Sequence, residues 1–210
     1  LPNVGPDNAG GTVNTLTINA NGATLARSAG AAGNFRILNI VGGRLVLNAA
    51  VIQNGVATSN NFGGGIRVAD PSSLAGTNFN LVANNCLIVG NSSTSHGGGL
   101  SVSLNGRARV VGSTITGNTA AFNGGGVEVF GSTPRLELVN CTIAYNVAGA
   151  AANGGGVMCE GGSVSVANTL VGNNNLGSPT GTANDLHIGG SNPVDLRNSL
   201  IEVQTGAING

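Results

Sequence analysis

Lysine and tryptophan are absent from this chain of 210 residues, and charged residues make up only 8% of it and aromatics 3%. An ordinary domain carries roughly 25% charged residues, so this surface draws its polarity from amides and hydroxyls. The eight basic residues, all arginine, are balanced by eight acidic ones. A nucleic-acid binder would show a clustered basic face; none is visible, and that partner class is set aside. No run approaches the ~18 consecutive apolar residues that span a bilayer, so no transmembrane segment is expected. Nor does a basic-then-apolar signal open the chain; its start at Leu1-Pro2 reads as an excised or mature piece of a longer precursor. Cysteine is scarce and odd in number. Cys86, Cys141 and Cys159 lack any CxxC spacing, which fits neither a disulfide framework nor a zinc site and points to buried free thiols.

Glycine, in contrast, is abundant, with 37 residues. It recurs as a triplet followed by an apolar, a variable and a second apolar residue. The copies are Gly63-Gly64-Gly65-Ile66-Arg67-Val68, Gly97-Gly98-Gly99-Leu100-Ser101-Val102, Gly124-Gly125-Gly126-Val127-Glu128-Val129 and Gly154-Gly155-Gly156-Val157-Met158-Cys159, starting 34, 27 and 30 residues apart. A period in this range marks a stack of similar units. Between the triplets runs a second pattern, an alternating stretch and then a Ser/Thr/Cys-rich one ending in Asn, as in Leu136-Glu137-Leu138-Val139-Asn140-Cys141-Thr142-Ile143-Ala144-Tyr145-Asn146. Period-two alternation over four to six residues means strand, and no useful length shows a helical period.

Three short strands per unit suit one rung of a coil, each strand pairing in parallel with its counterpart roughly 4.8 Å away in the next rung. Gly and Asn fall at the corners, where positive φ and close backbone approach are needed. The reading is an all-β protein: a parallel β-helix of about six to seven coils forming one domain over 1–210. Residues 1–11 are expected to be irregular, 12–203 coiled and 204–210 a tail. Stacking predicts an Asn column of Asn54, Asn91, Asn118, Asn146 and Asn173, with Val89, Thr116, Ala144 and Val171 in another, and coil-turn glycines at Gly64, Gly98, Gly125 and Gly155. Each Asn amide would donate to the next, satisfying polar groups in an inward-facing turn.

The glycine-triplet strand and the segments Asn140-Cys141-Thr142-Ile143-Ala144-Tyr145-Asn146 and Ser113-Thr114-Ile115-Thr116-Gly117-Asn118 resemble the polymorphic outer-membrane-protein type of repeat, with its Gly-Gly-Ala-Ile and Phe-x-x-Asn elements. The opening Leu16-Thr17-Ile18-Asn19-Ala20-Asn21-Gly22-Ala23-Thr24-Leu25 is similar to the first coils of such proteins. The resemblance covers residues 12–203 and implies an exported bacterial right-handed β-helix at the cell surface or outside the cell. This chain departs from the pattern with Gly for Ala in the triplet and Ile, Ala or Leu for most of the Phe positions. Right-handedness also agrees with the general preference of parallel crossovers.

Chemistry is sparse. A β-helix polysaccharide lyase or hydrolase needs two or three carboxylates on adjacent rungs beside Arg, Lys or His. Asp7, Asp70, Glu128, Glu137, Glu160, Asp185, Asp195 and Glu202 put no two at equivalent positions; Glu128 shares a column with Arg67, Ser101 and Met158. His96-Gly97 echoes a His-Gly element of pectin-degrading hydrolases without the Asp-Asp pair that accompanies it, and reads as an exposed turn histidine. Asp185-Leu186-His187 reads as a solvated strand face rather than a metal site. Glycine triplets without a following Lys or helix are not a phosphate loop. The sequons at Asn91 and Asn140 are explained by the repeat. An ice-binding face would repeat Thr-x-Thr on every rung, and Thr114-x-Thr116 does so once, against Leu87-x-Val89, Thr142-x-Ala144 and Thr169-x-Val171. No catalytic, cofactor or metal site is therefore expected. The sequence points to a structural or adhesive extracellular module whose partners are further copies stacked end to end, the rest of a longer chain, or a glycan or other surface ligand. A carbohydrate-active enzyme is the alternative, and an ice-binding protein the lesser one.

Overall fold

A computed structural model describes residues 15–59, 62–71, 78–189 and 193–206; the expected irregular stretch 1–11 lies outside them. The described residues form strands without a helix, stacked as a parallel β-solenoid of about six turns. One coil shows the plan. Arg107–Val111, Thr114–Thr116, Thr119–Ala120 and Val127–Phe130 follow one another, and Arg135–Val139 begins the next turn. Each segment joins its counterparts above and below, giving four sheets numbered here 1 to 4 in that order, of seven, seven, six and seven strands. Sheets 1, 2 and 4 supply the three expected strands per coil. Sheet 3 has only two-residue strands, too short for alternation to announce them.

Stacking is in register, so like meets like. Inside, Ile52, Ile88, Ile115, Ile143 and Val171 form one column, and Ile66, Leu100, Val127, Val157 and Leu186 another. All ten are fully buried, each worth roughly 1.5–3 kcal/mol against exposure. The three cysteines are free and buried. Cys159 continues the Val68, Val102, Val129 column. Cys86 and Cys141 alternate with Ser113 and Thr169 at a corner, where the hydroxyls of Ser113 and Thr169 accept the Cys86 and Cys141 amides of the preceding coils.

The corners turn on left-handed residues. Asn54, Gly90, Gly117, Tyr145 and Asn173 do so between sheets 2 and 3, and Gly63, Gly97, Gly124 and Gly154 before sheet 4. In each triplet the positive φ thus falls on the first glycine. The middle ones, expected as the turn residues, answer a different need: a Cβ on Gly64, Gly98 or Gly125 would sit within 2.6 Å of backbone in the neighbouring coil.

The Asn column differs from expectation at both ends. Asn91, Asn118 and Asn146 stack as foreseen: Asn91 Oδ1 accepts the Gly55 backbone amide, and Asn118 and Asn146 each accept the backbone and side-chain amides of the Asn in the coil before, but the next member is Asn174. Asn54 and Asn173 occupy the left-handed corner one residue earlier. That corner holds Gly, Asn or Tyr, so an Asn there imitates a ladder member. The companion column correspondingly holds Gly172 rather than Val171, which also makes Leu170-x-Gly172 the rung beside Thr142-x-Ala144. A second ladder, not foreseen, links Asn84 to Asn48 and Asn48 to Asn19 at 2.9 and 2.7 Å.

Two endings break the pattern. Asn175–Leu176 pairs antiparallel with Thr182–Ala183 through the turn that contains Pro179, and finishes sheet 3. Gln204–Gly206, expected in the tail, forms the last strand of sheet 4 against Leu186–Ile188.

Candidate functional site

Outward positions of a solenoid sheet normally meet water. On sheet 4 the outward column runs Asn39, Arg67, Ser101, Glu128, Met158, His187. This register agrees with the sequence reading, but the burial does not: Ser101 and Glu128 are 0% exposed and Met158 2%.

A roof of side chains from the flanking loops covers them. His96, directly before its triplet, lies between Phe62 and Phe122 with ring centroids 5.4 Å from each. From the far edge of the sheet, Phe130 reaches across to stack on Phe62 at 6.2 Å and 12°. One step along, the Asn123 amide donates to Glu160 Oε1 at 2.8 Å and makes a second clasp across the same face. Aromatic stacking holds a side chain in a defined orientation, and the three-ring stack fixes His96 over the sheet.

Beneath this roof His96 Nδ1 lies 2.9 Å from Glu128 Oε1. The expected exposed turn histidine is thus three-quarters covered and paired. The contact is close without being well aligned, since neither Nδ1 nor either Glu128 oxygen makes a well-directed hydrogen bond. The contact with Glu128 raises the His96 pKa, against the opposing effect of burial. Glu128 is also raised, chiefly because burial penalises its anion, with His96 opposing. Ser101 stands beside Glu128 in register, yet its Oγ makes no hydrogen bond. Serine, histidine and glutamate are therefore neighbours without a proton relay, and the serine is sealed.

The pair makes stability depend on pH with one sign. His96 binds its proton more tightly folded than unfolded, so its contribution is complete below its ordinary pKa of 6.5 and is lost as pH rises through the raised folded value. Glu128, raised above 4.5, acts in the same sense. Above both, a buried carboxylate faces a neutral imidazole. In thermal scans from about pH 5 to about pH 9, the melting temperature of the native chain is expected to fall relative to Glu128→Gln, which carries no charge to strand. A constant gap between the two would show that the pair does not titrate.

Asp185 and His187 also depart from the expected solvated face. Asp185 is 0% exposed and ends the Asn ladder. Its Oδ1 accepts the Asn174 backbone and side-chain amides, both at 2.7 Å, and Oδ2 accepts the Val203 amide at 3.0 Å. A carboxylate suits a terminus because it only accepts. His187 Nδ1 meets Thr205 Oγ1 at 2.6 Å instead. Among the described residues no three His, Cys, Asp or Glu side chains gather as a metal site. Asn91, in one sequon, is 1% exposed with its amide in the ladder.

Glu128's column was legible from the register. Its partner was not, because His96, Phe62 and Phe122 lie in loops that do not repeat; an aromatic or imidazole one or two residues before a glycine triplet was the available signal. No family model, curated protein or solved structure matches the chain.

Proposed function

We propose that this β-solenoid is a non-enzymatic, extracellular structural and adhesive module, stacked end to end with further copies or continuous with a longer chain. One observation carries the reading. The repeated polar side chains are consumed in joining coil to coil: the amides of Asn91, Asn118, Asn146 and Asn174 run as a buried column ending on Asp185. Such a molecule invests its sequence in stiffness. About six turns at ~4.8 Å give a rod roughly 30 Å long.

Stacking is favoured by the edges. Among the described residues, Thr15–Asn19 and Val194–Arg197 are the outermost strands of sheet 1, each paired on one side. An exposed strand edge is a template for another chain, and a head-to-tail contact that does not close yields fibres. The resemblance to exported bacterial repeat proteins agrees with a surface location. Electron micrographs of concentrated protein are expected to show fibres or short stalks, and a screen on acidic and neutral polysaccharides no cleavage. A strict monomer by sedimentation at high concentration would remove the stacking, and depolymerisation of any polysaccharide would replace the structural reading with the enzymatic one.

A further inference from the structure

On sheet 4 the outward column is sealed at Ser101, Glu128 and Met158 but opens at Arg67, which is half-buried. Its guanidinium has no carboxylate partner among the described residues. Its one hydrogen bond is a long contact of 3.5 Å from Nη1 to Asn39 Oδ1. Its charged neighbour is a second cation, Arg36, whose pKa falls to about 10 through burial and the proximity of Arg67. Arg36 is already committed, donating from Nη1 to the Phe62 carbonyl at 2.7 Å. Arg67 therefore keeps most of its five donors unspent, in a place where burial and a like charge both disfavour it.

Beside it opens a cleft of about 490 Å³ lined by Phe62, Arg67, Leu104, Phe130 and Thr133, within the range of small-ligand sites. The Phe62–Phe130 stack forms one wall. Phe130 and Leu104 are 47% and 51% exposed, two of eight large apolar side chains that stand exposed among the described residues. Leu104 is moreover held at φ 55°, a costly conformation for a branched side chain. The rim is polar and fixed: Thr133 Oγ1 is 2.8 Å from both the Leu104 carbonyl and Asn105 Oδ1.

We infer that this cleft binds a carboxylate-bearing sugar, a uronic acid residue of an acidic polysaccharide, with the carboxylate on Arg67 and the ring's C–H face against Phe62 and Phe130. A planar guanidinium matches a carboxylate in two parallel hydrogen bonds. An aromatic wall takes the apolar face of the ring, and rim oxygens and amides take its hydroxyls. A phosphate group carries more charge and is better matched by two or more free cations, whereas Arg67 stands alone here because Arg36 is committed to the Phe62 carbonyl. The assignment rests on the adhesive part of the proposed function and names its ligand class.

The test is titration calorimetry of the full chain with a galacturonic acid trimer, its methyl ester, a sulfated oligosaccharide and inorganic phosphate. The acid is expected to bind, with the ester and Arg67→Gln each weaker by about tenfold or more. Phe130→Ala should also weaken binding, and Arg109→Gln, on sheet 1, should not. Arg67→Gln should melt no lower than the native chain, because it removes an unneutralised charge; if it fails to fold, Phe130→Ala and the ester carry the test. Equal binding of acid and ester, full affinity in Arg67→Gln, sulfate or phosphate binding as tight as the acid, or no binding of the acid would each overturn the assignment. Adhesion of Arg67→Gln to surfaces at the native level would leave the adhesive module standing and detach this cleft from it. Loss of adhesion in every variant, the native chain included, would remove the module reading itself.

Discussion

Gly125→Ala is expected to destabilise the chain by about 3 kcal/mol or more, enough to unfold a large share of a marginal solenoid at ordinary temperature. The added methyl would meet the Gly155 carbonyl oxygen and the Val147 carbonyl group at 2.5 Å. These obstacles are backbone, not the far ends of flexible side chains. Both belong to strands and loops held by their own ladders: Gly125 N donates to the Gly154 carbonyl, Gly126 N to that of Gly155, and Val147 N to that of Asn118. Relief therefore requires neighbouring coils to separate, which breaks bonds on several rungs. Gly117→Ala is the informative contrast. Gly117 has φ 61° but its Cβ would find nothing nearer than 4.0 Å, so only the left-handed backbone penalty of roughly 1–2 kcal/mol applies. Urea midpoints of the two variants measure the difference, and similar midpoints would show that the coils can part cheaply at the triplet.

The contrast also explains what could be read from the sequence. Columns follow from counting, because one spacing error would bury a polar face, so Glu128 could be placed beside Ser101 and Met158 without coordinates. Positions that tolerate several residue types are where counting slips. The corner between sheets 2 and 3 takes Asn54, Gly90, Gly117, Tyr145 or Asn173, and in the run Asn173-Asn174-Asn175 three candidates compete for one ladder position. Only the hydrogen bonds from the coil before select Asn174. The candidate site lay further out of reach. His96, Phe62, Phe122 and Phe130 come from loops and strand ends with no repeat to align them, and they meet through packing across the face of sheet 4. The unpaired state of Arg67 depends on which carboxylates lie near it in space, which spacing alone does not give.

Asn118→Ala is the second large effect, expected at about 3–5 kcal/mol from orphaned buried groups and the space left behind. Asn118 Oδ1 accepts both the Asn91 backbone amide and its side-chain amide at 3.0 Å, while its own Nδ2 donates to the Ile88 carbonyl and to Asn146 Oδ1, each at 3.0 Å. Asn118 is 0% exposed and Asn91 1%, so water cannot readily replace what is lost. The Asn91 backbone N–H is left without its acceptor, and the Ile88 carbonyl loses a donor. In a stack where each coil touches its neighbours, the damage should be local: hydrogen exchange is expected to quicken at Asn91, Asn118 and Asn146 before the distant coils respond. Asn173→Gly supplies the control, since it places at that corner the residue already present at Gly90 and Gly117 and should shift the urea midpoint little. If Asn118→Ala and Asn173→Gly were equally mild, the buried amide column would be an ornament of the stacking. If Asn118→Ala alone collapses protection across its three coils, that column is what fixes their register.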